Sequence, residues 1–108
     1  MSLPIIKRAR VHQDLVECFA YIARDKFEPA ERFLKVADEA FERISRTPHM
    51  GRIWVSKNVR ASGVRVYPMP EGFRNYLIFY LVSSDAIEIL AVIQGAQNLD
   101  QIVRTIDF

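Results

Sequence analysis

At 108 residues, half of them hydrophobic and 26% charged, the chain has the size and balance of one ordinary globular domain spanning 1–108. One cysteine excludes an intrachain disulfide and a multi-cysteine zinc centre, and the longest apolar run, Leu77 to Val82, is far too short to span a bilayer. The net charge of +2 is unevenly placed: Val11 to Arg46 carries eight acids and six bases, whereas Gly51 to Ser84 carries Arg52, Lys57, Arg60, Arg65 and Arg74 against Glu71 alone.

The opening residues, MSLPIIKRAR, lack the long apolar segment of a secretory signal, so a cytoplasmic location is expected. Pro4 to Arg8 reads as a short first strand. Val11, Leu15, Cys18, Phe19 and Ile22 recur at helical spacing and predict an amphipathic helix. Asp14 and Glu17 then fall early, where the helix dipole favours carboxylates, and Arg24 and Lys26 fall at the end. Cys18 sits on the apolar stripe, so a buried and inert thiol is expected.

Asp25 to Pro29 breaks the first helix from a second, because proline suits a first helical turn that needs no N–H. Ala30, Phe33, Leu34, Ala37, Phe41 and Ile44 form its apolar stripe, and Thr47-Pro48 ends it. Two such helices with a short connection predict a helical hairpin.

Pro48 to Arg52 is rich in turn formers, and Ile53 to Ser62 reads as an extended excursion anchored by Trp54 and Val55. Gly63 to Tyr67 predicts a strand and Pro68 to Gly72 a loop. Asn75 to Val82 and Ala86 to Ile93, nearly continuous in Ile, Leu, Val, Phe and Tyr, predict central strands. Ser83-Ser84-Asp85 between them marks an antiparallel hairpin. Leu99 to Ile106 reads as a short terminal helix or turn. The expected architecture is α+β, βααβββ, with the helical hairpin laid on one face of a small, mainly antiparallel sheet.

That order, together with several local strings, resembles the RelE/ParE toxin superfamily, and within it the ParE-like branch of plasmid-stabilisation toxins from bacterial type II toxin–antitoxin systems. The strings are Asp14-Leu15 with Tyr21-Ile22, Pro48-His49-Met50-Gly51-Arg52, Gly63-Val64-Arg65, Gly72 through Tyr80, and Ile87-Glu88-Ile89-Leu90. Members of this family commonly close the last strand with an arginine, a hydrophobic pair and His-Gly-Ala-Arg-Asp. Here Ala91, Val92-Ile93 and Gln94-Gly95-Ala96-Gln97-Asn98 stand in those places, so every ionisable group of the signature is neutral.

The resemblance implies two kinds of toxin. RelE-like members cleave messenger RNA on the ribosome, which uses the 2′-hydroxyl as nucleophile and gains from a proton acceptor and from cations on the phosphate. Arg65 and Arg74 are the candidate cations and Tyr76 or Tyr80 the candidate acid–base groups. Gln94 cannot serve as a base, and His12 and His49 lie elsewhere in the chain. ParE-like members bind DNA gyrase and need surface and charge without a general base, which suits the neutral strand end better. Arg52, Trp54, Arg60, Arg65, Arg74, Gln94, Gln97 and Asn98 are then the candidate contact residues. For each arginine, a solvated sheet edge or an internal salt bridge is the alternative, and for Trp54, a lid on the edge of the core. A cognate antitoxin is the expected partner in either case, and a non-toxic domain that retains only antitoxin binding is the third reading. No metal or organic cofactor is implied, since two histidines and one cysteine in unrelated elements do not make a ligand set.

Overall fold

The computed structural model describes residues 2–54, 63–95 and 104–106. Two helices pack on one face of a mixed sheet, in the order β1 (Ile5–Lys7), α1 (Ala9–Ala23), α2 (Phe27–Arg46), β2 (Arg52–Ile53), β3 (Arg65–Pro68), β4 (Tyr76–Val82) and β5 (Ile87–Gln94). The sheet runs β1-β5-β4-β3-β2, antiparallel throughout except where β1 pairs in parallel with β5. The βααβββ arrangement expected from the sequence is present, with the two-residue β2 added at the edge. Most of the excursion expected over Ile53 to Ser62, and most of the terminal segment expected over Leu99 to Ile106, lies outside the described residues. Residues 104–106 form a turn.

Strand alternation sorts side chains onto two faces. Tyr76, Ile78 and Tyr80 of β4 and Ile87, Ile89 and Val92 of β5 meet Phe33, Val36, Ala37, Phe41 and Ile44 of α2 and Val11 and Cys18 of α1. The opposite face gathers Val64, Val66, Leu77, Phe79, Leu90, Ala91 and Ile93 beneath Ile106, with Trp54 and Leu81 packed against them. A sheet buried on both faces explains why β4 and β5 read as unbroken apolar runs.

Two details of the helices differ from the periodicity. Helix α1 begins at Ala9, ahead of Val11, so its first turn holds no acid and its last turn no base. Asp14 therefore lies in the second turn, on the buried stripe between Val11 and Cys18, where the helix dipole is not its partner. On α2, Leu34 is exposed, and Val36 and Ala40 are buried beside the expected Phe33, Ala37, Phe41 and Ile44. Among the described residues no helix is long and apolar enough to cross a membrane.

Candidate functional site

The C-terminal end of β5 is shaped by a bulge. Phe79 of β4 pairs with Ala91 and Tyr80 with Ile89, leaving Leu90 as an extra residue on β5. Leu90 and Ala91 both join the second face, and the helix-facing phase moves from Ile89 to Val92. Gln94, two residues further on, shares the side of Val92. Strand β1 ends at Lys7, so among the described residues no strand lies beside the outer edge of β5 beyond Ile89. Asp14 takes that place: its Oδ2 accepts the Val92 N–H at 3.0 Å. The same carboxylate accepts from Arg10 Nε at 3.1 Å and Nη2 at 3.2 Å, a bidentate pair that keeps the buried charge matched. Arg10 Nη1 also donates to Thr105 Oγ1 at 3.2 Å, tying the C-terminal turn to the same helix.

Between α1 and this strand end opens a cleft of about 230 Å³ lined by Arg10, Asp14, Glu17, Cys18, Tyr21, Tyr76, Val92, Ile93 and Gln94. The Tyr76 ring is gripped edge-on by Phe33, with centroids 5.0 Å apart, and by Phe73 at 6.3 Å. Burial first, and then nearby Cys18 and Tyr21, hold its phenol above the ordinary tyrosine value. The Cys18 thiol is pushed up to about 12, mainly by burial, with the charges of Asp14 and Glu17 adding to it. It is a protonated, inert thiol at neutral pH, as the sequence suggested.

A second constellation lies across the sheet. Arg65 of β3 sits directly opposite Tyr80 of β4, and together they fasten the turn that leaves α2. The Tyr80 hydroxyl donates to the Pro48 carbonyl at 2.8 Å and accepts the Gly51 N–H at 2.9 Å. Arg65 Nη1 donates to the Gly51 carbonyl at 2.6 Å and to the His49 carbonyl at 3.3 Å. Tyr80 is fully buried, and burial raises its phenol pKa more than the Gly51 hydrogen bond and the Arg65 charge lower it.

The sequence-derived candidates distribute unevenly over this frame. Tyr76 and Gln94 meet in the cleft. Arg65 is turned onto backbone carbonyls of the 48–51 turn. Its rung is four strand residues from that of Tyr76, about 13 Å at strand rise. Arg74 is exposed in the turn before β4, beyond Tyr76, so these two arginines are not brought together. Arg52 is exposed on the edge strand, and Trp54 is half-buried on the second face with its ring edge-on to Phe79 at 5.5 Å. His12 and His49 are exposed and line no part of the cleft. Arg60, Gln97 and Asn98 lie outside the described residues. Among the described residues no cluster of three or more His, Cys, Asp or Glu side chains has the makings of a metal site.

Sequence reasoning missed Arg10, Asp14, Glu17 and Tyr21 as a wall of the cleft. A signal existed for Asp14, because a carboxylate three residues after Val11 and four before Cys18 falls on the apolar stripe.

No curated protein sequence matches the chain. Among solved structures it is similar to a chain of the chromosomal ParDE TA system from P. aeruginosa, at 16% identity and a TM-score of 0.67, with 86% of this chain and 96% of that one covered. At that identity the likeness is one of fold. A family model described as the ParE toxin of the type II toxin–antitoxin system, parDE, matches residues 5–99. With nearly its whole length matched, the chain belongs to the ParE toxin family of type II toxin–antitoxin systems.

Proposed function

We propose that the protein is a toxin that acts by binding DNA gyrase, without hydrolytic chemistry of its own, and that a cognate antitoxin neutralises it. The observation that carries this reading is the chemistry of the β5 end. Gln94 is an amide, Tyr76 is a phenol held protonated by burial, and Cys18 is a thiol pushed up to about 12. None of the three takes up and releases a proton near neutral pH, as a general base for RNA cleavage must. The separation of Arg65 from Arg74 points the same way, because one scissile phosphate needs converging cations. Binding needs only a presented surface. Arg52 and Arg74 supply exposed positive charge, and Trp54 supplies an aromatic edge. The exposed Tyr21 and Phe27 of the helical hairpin give the antitoxin apolar surface to cover.

The test is expression of the chain in a bacterium from a tight inducible promoter without antitoxin, following chromosomal breaks and protein synthesis together. Growth arrest with breaks preceding any fall in translation is expected. Immediate translational arrest with intact DNA would replace gyrase by the ribosome and mRNA, and normal growth with folded protein would leave a non-toxic antitoxin-binding domain.

A further inference from the structure

We infer that the cleft between α1 and the ends of β4 and β5 is a socket for a single arginine side chain presented by the neutralising partner polypeptide. This rests on the reading of the chain as an antitoxin-bound toxin and specifies one contact of that complex.

The first observation is Tyr76. The residue is only 4% exposed. Among the described residues every buried side-chain nitrogen or oxygen has a hydrogen-bond partner, and the Tyr76 hydroxyl bonds to none of them. The exposed fraction of Tyr76 therefore includes the hydroxyl, which opens into the cleft that the residue lines. Phe33 and Phe73 fix the ring, so the hydroxyl is held in place before any ligand arrives. The Gln94 side chain lines the same space and likewise has no partner among the described residues.

Charge selects the class of ligand. Among the described residues the lining holds two carboxylates, Asp14 and Glu17, against one guanidinium, Arg10. Arg10 is already committed to Asp14 through two nitrogens and to Thr105 through the third. An anion would meet Glu17 with no free cation among the described lining residues to offset it. A cationic donor finds the Glu17 carboxylate, the Tyr76 oxygen and the Gln94 carbonyl as acceptors, with Val92 as apolar lining for its stem. A planar fork of five N–H groups matches several separated acceptors better than a compact ammonium does.

Size limits the ligand. Pockets for drug-sized molecules run to about 300–1,000 Å³, and this cleft of about 230 Å³ falls below them, at the scale of one side chain. Position selects the partner. Arg52 and Trp54, offered above as target contacts, project from the face opposite the helices, whereas the cleft is on the helix side beside exposed Tyr21. The acidic helical side suits a basic residue of the antitoxin and leaves the basic strand edge to the target.

The experiment titrates the full chain with N-acetyl-arginine amide and follows amide and side-chain NH₂ signals by NMR. The neutral isostere N-acetyl-citrulline amide is the control. Saturable shifts centred on the Gln94 side chain, Glu17 and Tyr21 are expected, with the citrulline compound at least about tenfold weaker. Tyr76→Phe keeps the ring packing, and Glu17→Gln changes an exposed side chain; each is expected to weaken arginine binding by about two- to tenfold while the protein stays folded. Equal binding of the citrulline compound, shifts that avoid Gln94, or unchanged affinity in Tyr76→Phe would each overturn the socket. None of these readouts involves growth arrest, so the socket and the gyrase reading fail separately.

Discussion

Gly51 shows how one residue couples a turn to a sheet. A Cβ there would lie 2.6 Å from the Tyr80 hydroxyl and 2.9 Å from its ring, in a contact that already carries the Gly51 N–H bond. Gly51→Ala must push the phenol away and break its bond to the Pro48 carbonyl. A loss of about 1–3 kcal/mol is expected from overpacking, seen as a lower urea midpoint. Tyr80 was legible in the sequence as part of a central strand, but its hydroxyl partners lie about thirty residues upstream, beyond the reach of any local pattern. Proton chemistry offers a second check at this scale. Cys18, Tyr76 and Tyr80 all hold their protons more tightly in the folded state, chiefly through burial. The stability this contributes is complete below the ordinary thiol and phenol values of 9.0 and 10.0, and it is lost as pH rises through the folded values. Thermal midpoints measured from pH 8 to about 11 should therefore fall, and Cys18→Ala should remove the earliest part of the decline, that starting near 9.0. A flat profile in the parent protein would contradict the burial of these groups.

Elements meet where their lengths do not match. Strand β1 is three residues long and β5 eight, and Asp14 of α1 fills the edge that the short strand leaves open. Asp14→Ala leaves the Val92 N–H without its acceptor and the Arg10 guanidinium without its carboxylate partner. A cost of about 2–4 kcal/mol is expected, with faster hydrogen exchange at the Val92 amide, whereas simple loss of helix propensity would leave that amide protected. The periodicity of α1 was readable, yet this role was not: Asp14 and Val92 are 78 residues apart, and the bulge that turns Val92 toward the helices appears only when β4 and β5 are paired. The β3–β4 connection is a different case. Pro70 to Phe73 closes with the Phe73 N–H on the Pro70 carbonyl at 3.3 Å, and both central residues have positive φ, Glu71 at 59° and Gly72 at 94°. These are the angles of a type I′ turn, in which asparagine is favoured at the first central position and a long side chain is strained. Arg43 approaches Glu71 only at 3.9 Å between exposed groups, so little is lost with the carboxylate. Glu71→Asn should raise stability by about 0.5–1 kcal/mol with an unchanged denaturant slope.

At the scale of the molecule, two buried faces divide the work. The helix side closes the main core and opens the acid-lined cleft, while the opposite side carries Trp54 at the base of the β2–β3 connection. The layering was legible because apolar period and turn residues agree along the chain, and it sufficed to suggest the family. The division of labour among the arginines was not legible, since charge counted along a sequence does not say where a guanidinium points. Arg65 donates to the 48–51 turn from which β2 departs, so it positions Arg52, whereas Arg52 and Arg74 are exposed. Two variants separate these roles. Arg65→Ala removes charged hydrogen bonds and should cost about 1.5–3 kcal/mol of stability before any effect on a partner is considered. Arg52→Ser combined with Arg74→Ser changes only exposed side chains and should leave the unfolding midpoint within about 0.5 kcal/mol of the parent. If the basic edge steers the toxin to gyrase, the double variant should associate more slowly, lose most of the salt dependence of that rate, and no longer arrest growth. Growth arrest at full strength in a double variant that folds like the parent would remove Arg52 and Arg74 from the target contact, and the search would then move to the masking of Trp54 and the face it covers.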